Sequence, residues 1–236
     1  QKTSIVTLPD IEQIANAVEP LIVQLQEKHL ACQDLRAIGF MSTQFHFSTQ
    51  ILLSNLKPVE QIVLQPYLQF IEEQVCIPWQ QICTAVNLHA VGSPILEAVK
   101  LMLPQSDEVA HDTLSRVMPA FSSYRSRRGL LTQPAVAASF TRDINMLQAY
   151  LWLCILESSM SSIKNELLPL CTMVFPAVSV DWELIKISID VMANCICERL
   201  DRKYIPFVKV YIQDMQQLFI DAEKTFASPT SIASEQ

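Results

Sequence analysis

The chain has 236 residues, half of them apolar, which is enough to bury one large core or two small ones. Its net charge of −7 argues against a nucleic-acid surface, because phosphates demand clustered Lys and Arg, and the densest basic run is the short Tyr124-Arg125-Ser126-Arg127-Arg128. Only three glycines occur, Gly39, Gly92 and Gly129, too few for the phosphate loops of a βαβ nucleotide binder, whereas thirteen prolines suit helices joined at Pro-marked corners. The composition therefore predicts an all-α protein.

In chain order, Asp10 caps a first helix, with Gln13 at the capping-box position and Pro20 as the expected kink. A second helix is expected over about 33–56, stopping before Pro58, and a third over about 58–75 with Pro66 inside. Shorter helices follow near 78–87 and 93–103. Ser106, Asp107 and Glu108 make a good helix start, since acids favour the N-terminal dipole, and that helix is expected to end near Ser126. A loop with Gly129 and Pro134 leads to a long helix over about 135–158. Ser161 and Ser162 open another, to about Phe175, with Pro176 marking a corner. Asp181 starts the next, to about Arg202, and Pro206 sits in the first turn of a last helix ending near Lys224. The small polar tail, 227–236, reads as disordered. No repeat of solenoid length is evident.

The cysteines are Cys32, Cys76, Cys83, Cys154, Cys171, Cys195 and Cys197. Their odd number and apolar neighbours predict reduced, buried thiols in a cytoplasmic protein. Cys195 and Cys197 fall on different faces of a helix, and His29, His46, His89 and His111 lie far apart, so no metal site is expected. The longest uncharged stretch, 37–56, is too polar to span a bilayer. No nucleophile elbow, paired-histidine zinc helix or phosphate loop is present, which predicts a non-enzymatic protein. Trp79, Trp152 and Trp182 read as packing residues.

From Phe140 to Met192 the segments "FTRD", "SSMSSI", "LPLCTMVF" and "VDWELIKISIDVM" occur in order, preceded by "RSRRGLL" at 125–131. This ordered set resembles the phycobiliprotein family, the globin-like light-harvesting proteins of cyanobacterial and red-algal phycobilisomes. The family carries a C-x-R-D motif ahead of an apolar helix, and the resemblance extends weakly over about 90–222. It implies a globin-like domain over 76–226 with an N-terminal helical extension over 1–75. It also implies roles for two residues. In the family the arginine pairs with a propionate of an open-chain tetrapyrrole (a bilin) and the aspartate accepts from its pyrrole nitrogens. Those roles fall here on Arg142 and Asp143, and the chemistry suits them, since a guanidinium forks onto a carboxylate and a carboxylate takes N–H donors. Arg127 and Arg128 are further candidates for a ligand carboxylate.

Phe140 stands at the thiol position of that motif, and a phenyl ring forms no thioether. The resemblance thus implies a member without covalent pigment, in which any bilin would be held noncovalently. The family's Gly-Asp turn is replaced by Ser158-Ser159, and its tyrosine pair by Met146-Leu147. On the residues alone, Arg142 and Asp143 also fit a simple ion pair at a helix start. A haem needs an axial ligand, and 160–178 offers only Cys171, read as a core thiol.

The second helix carries Phe40, Met41, Phe45 and Phe47 over more than one face, so either one face packs on the globin-like domain and the other meets another protein or a second copy, or the segment completes a larger single core. The expectation is a regulatory, protein-binding module, in photosynthetic or stress signalling and dimeric through the N-terminal helices. The alternative is a sensor or carrier of a small ligand such as a bilin, another tetrapyrrole or a fatty-acid-like molecule.

Overall fold

The structure is a computed structural model that describes residues 10–31, 36–75 and 77–227. It is all-α apart from one tiny hairpin. The chain divides into two compact units after Gln81.

The first unit holds α1 (Ile11–Leu30), α2 (Arg36–Ser54) and α3 (Pro58–Val75). Asp10 caps α1, its Oδ1 accepting from Gln13 N at 2.8 Å. α2 packs on α3, and α1 on α3. The corner between α2 and α3 is closed by side chains: Glu60 accepts from Lys57 N at 2.8 Å, and Gln61 Nε2 donates to the carbonyls of Leu53 and Leu56 at 2.9 and 3.0 Å. The Gln61 bonds satisfy carbonyls at the end of α2, and the Glu60 bond an N–H at the start of α3, groups that helix ends leave without partners.

A further helix, α4 (Ile77–Val86), runs across the division. The second unit continues with α5 (Pro94–Met102), α6 (Ser106–Val117), the hairpin strands β1 (Arg125–Ser126) and β2 (Gly129–Leu130), and α7 (Pro134–Glu157). A π-helical turn, Ile163–Leu167, leads into α8 (Leu168–Val178), followed by α9 (Trp182–Arg199) and α10 (Ile205–Ala227). Ser93 caps α5 by accepting from Leu96 N at 3.3 Å, and Asp181 caps α9 by accepting from Glu183 N at 3.0 Å.

The core of this unit forms around α7, which is buried on every side from Leu147 to Leu156, as its apolar run, interrupted by Gln148 alone, requires. α6 packs most extensively on α9 and α7, α10 lies against α9, α7 and α8, and α5 meets α7. Trp182 stacks edge-on to Phe175 with centroids 5.1 Å apart and tilts against Phe219 at 6.2 Å, joining α8, α9 and α10. Trp152 is fully buried.

Two helix ends differ from the sequence expectation. α6 stops at Val117 rather than near Ser126: Met118 still has helical dihedrals, but Pro119 has no N–H to continue the ladder, and the chain turns into the hairpin. α8 passes through Pro176 and ends at Val178, because its stop is Ser179 at φ 56°. Val180 N then donates to Phe175 O at 2.9 Å, closing a left-handed C-terminal cap. Ser158, at φ 52°, ends α7 in the same way. The tail expected to be disordered lies outside the described residues beyond Ala227.

Candidate functional site

Arg142 and Asp143 sit more than two turns inside α7, which begins at Pro134, so they are not a helix-start pair. Neighbours in sequence point to different sides of a helix. The guanidinium nevertheless bends back: Arg142 Nε donates to Asp143 Oδ1 at 3.0 Å, and Nη2 donates to the same oxygen. One carboxylate oxygen takes both bonds. The Arg142 side chain is 23% exposed and that of Asp143 48%, so the pair lies at the edge of the core with the carboxylate half in water. Phe140 is buried, 8% exposed, one turn before it.

Cys171 of α8 is buried. Burial pushes its thiol well up, and the Asp143 carboxylate adds to that by disfavouring a second anion nearby. Cys154 is likewise pushed up, to about 11, chiefly by burial. Further along the same seam Tyr150 OH donates to Glu166 Oε2 at 3.3 Å, and Glu166 belongs to the π-helical turn. The Tyr150–Glu166 pair was not singled out in the sequence. A tyrosine inside an apolar run followed by an acid sixteen residues on carries no distinctive spacing.

Arg127 is turned to another task. Its Nη1 donates to Ala177 O at 3.0 Å and its backbone N to Val178 O at 3.1 Å, so it satisfies carbonyls at the C-terminal end of α8, where a cation complements the helix dipole. Tyr124 works beside it, its OH donating to Ser179 O at 3.0 Å and accepting from Asp181 N at 3.1 Å. Burial raises the Tyr124 phenol. The hairpin is thereby fastened to the α8–α9 corner. Arg128 is exposed on the hairpin, its N–H donating to Ser126 Oγ at 3.2 Å.

On α2, Phe45 and Phe47 are half-buried, while the side chains of Phe40 and Met41 lie outside those described. The exposed apolar residues lie further on. Ile51 and Leu52 end α2, and Val59, Ile62 and Val63 begin α3, so they flank one corner. Val59 is 72% exposed and Ile62 73%. Exposed aliphatics so close together are uncommon on a lone surface.

Among the described residues no group of three or more His, Cys, Asp or Glu is placed to hold a metal ion, and no helix is long and apolar enough to cross a membrane. Compared with known proteins, the chain matches no family model, no curated protein and no solved structure.

Proposed function

We propose that this chain is a non-enzymatic, regulatory interaction module of the cytoplasm. In this reading a globin-like, phycobiliprotein-like second unit serves as scaffold, and the first unit presents a docking corner to a protein partner. The observation that carries it is the apolar set Ile51, Leu52, Val59, Ile62 and Val63, exposed on both sides of the α2–α3 corner. The corner is held by side-chain bonds from Glu60 and Gln61, so the set is presented on a fixed frame. A preorganised apolar patch binds without the entropy cost of ordering a loop. The globin-like reading is supported by the packing of α6 on both α7 and α9 and of α10 on α7, α8 and α9. The cytoplasmic reading is supported by the free thiols of Cys83, Cys154, Cys171, Cys195 and Cys197. Phycobilisome-related, photosynthetic and cyanobacterial associations belong to the same reading and rest on the motif resemblance alone.

The test is a photo-crosslinking amino acid placed at Ile62 and, as control, at Asp190, on an exposed part of α9. The expected result is one discrete adduct from position 62 that is lost when Val59→Asp is added. Identical adduct patterns from the two positions, or none at either, would overturn the assignment.

A second reading, noncovalent bilin binding, is favoured by the half-exposed Asp143 carboxylate, which has one oxygen beyond its bonds to Arg142. Its test is the visible spectrum of the purified chain with added bilin. A red-shifted, sharpened band that Asp143→Asn abolishes supports it, and a spectrum equal to free bilin rules it out.

A further inference from the structure

A different surface, on the second unit, has a form that suits its own copy. The turn between α4 and α5 carries Leu88 and Val91, which are 83% and 92% exposed. Both are aliphatic, and neither is used by the core. Immediately beside Val91 lies a wide-mouthed hollow of about 300 Å³, walled by Gly92, Pro94, Lys203, Tyr204 and Phe207. Phe207 and, one turn on, Val210 are half-exposed on the α10 side. A projecting aliphatic tip therefore stands next to a dent with apolar walls, and the dent has room for a large side chain.

The rim has both signs of charge. Lys203 meets Asp201 at only 3.8 Å, with both side chains about two-thirds exposed, and it lies over the Tyr204 ring at 4.6 Å. Lys100 meets Glu97 at 3.6 Å, again in water. Loose surface pairs of this kind are readily exchanged for contacts across an interface. A one-sign rim would repel itself in a two-fold contact, whereas a mixed rim is self-complementary. The exposed parts of Leu88, Val91, Phe207 and Val210 together offer on the order of 400 Å² of apolar area, the scale of the larger patches on a monomer. That is close to the apolar share of one side of a standard interface of about 800 Å² per partner.

We infer that this face of the second unit pairs with a second copy of the chain across a two-fold axis, the Leu88–Val91 tip of each copy entering the Gly92–Phe207 hollow of the other. The inference does not depend on the α2–α3 corner or on any bilin.

Sedimentation equilibrium of the purified full chain over a concentration series tests it. The expected result is a monomer–dimer equilibrium that Val91→Asp weakens by more than about tenfold, since a carboxylate must shed its water to enter the hollow, and Lys203, two-thirds exposed and already beside Asp201, offsets little of that cost. Both Leu88 and Val91 stand in water on a turn, so the variant keeps its helical circular dichroism. Lys203→Glu and Asp201→Lys each weaken pairing, and an equimolar mixture of the two variants associates more tightly than either alone. Three results would overturn the proposal: a monomer at every concentration, a dimer indifferent to Val91→Asp, or a dimer lost with Ile62→Asp instead. The last would move self-association to the α2–α3 corner and leave the proposed function intact.

Discussion

The Arg142–Asp143 pair separates a local ion pair from a ligand anchor, and a double-mutant cycle measures which it is. The perturbations are Arg142→Met, which keeps the length of the buried stem, and Asp143→Asn, which keeps the shape of the carboxylate. Both guanidinium bonds end on one oxygen of a carboxylate that is half in water. That geometry lacks the fork-on-fork match that makes Arg–carboxylate pairs strong. The coupling energy is therefore expected in the range of exposed pairs, about 0.2–1 kcal/mol, and it should shrink as salt is added. Urea unfolding of the wild type, both single variants and the double variant yields it directly. A coupling above about 2 kcal/mol, or one insensitive to salt, would refute the reasoning, because only a pair shielded from water reaches that size. The same variants then report on a ligand. A bilin at a hundred times its Kd raises the stability of the wild type by about 2.7 kcal/mol, and Asp143→Asn should lose that gain if the carboxylate holds the pyrrole nitrogens.

Three further outcomes are expected. Gly129 sits at φ +130°, and a Cβ there would collide with Gln133 Oε1, which accepts from Leu130 N; Gly129→Ala should cost about 1–3 kcal/mol in thermal unfolding, and adding Gln133→Ala should relieve the collision without recovering the part due to backbone strain. Burial holds the Cys154 thiol protonated up to about 11, so the unfolded chain ionises first as pH rises; stability should fall between about pH 9 and pH 11, and Cys154→Ala should flatten that slope of ΔG against pH. At the other end of the scale, Asp112 and Glu198 are lowered, first by their hydrogen bonds to Arg199 and Arg116, so the stability they add is present above the usual carboxylate range and lost as pH falls through it; Asp112→Asn with Glu198→Gln should reduce the acid sensitivity of unfolding.

The all-α class and the starts of the helices were legible because they rest on local chemistry. Asp10, Ser93 and Asp181 cap helices with their own side chains, and such signals need only three or four residues. Helix ends were less legible. Ser158 and Ser179 take the left-handed conformation that a sequence reader assigns to glycine, and in a chain with three glycines the usual marker is missing where it was needed. Pro176 misled for a related reason: it lies three residues before the true stop, inside the last turn of α8. The Arg127 contacts were invisible for another cause. Its partners at Ala177 and Val178 lie some fifty residues away, and nothing in "RSRRGLL" says that a helix end will arrive beside it.

The contrast between the two units bears on where recognition resides. In the second unit, α7 is enclosed on all sides and the α6–α9 crossing is pinned by Arg116–Glu198 and Arg199–Asp112, pairs 82 and 87 residues apart in sequence. That closure surrounds α7, while the same unit leaves Leu88, Val91, Phe207 and Val210 in water at the α4–α5 turn and on α10. In the first unit, the described side chains of α1–α3 that are buried are Thr49 and Val75, while Leu21, Ile51, Val59 and Ile62 stand in water. Burying an aliphatic side chain is worth about 1.5–3 kcal/mol, so each of these is a gain the isolated chain forgoes. In the proposed reading such uncovered aliphatics serve a partner surface, and the docking corner, rather than the Arg142–Asp143 pair, therefore carries that proposal.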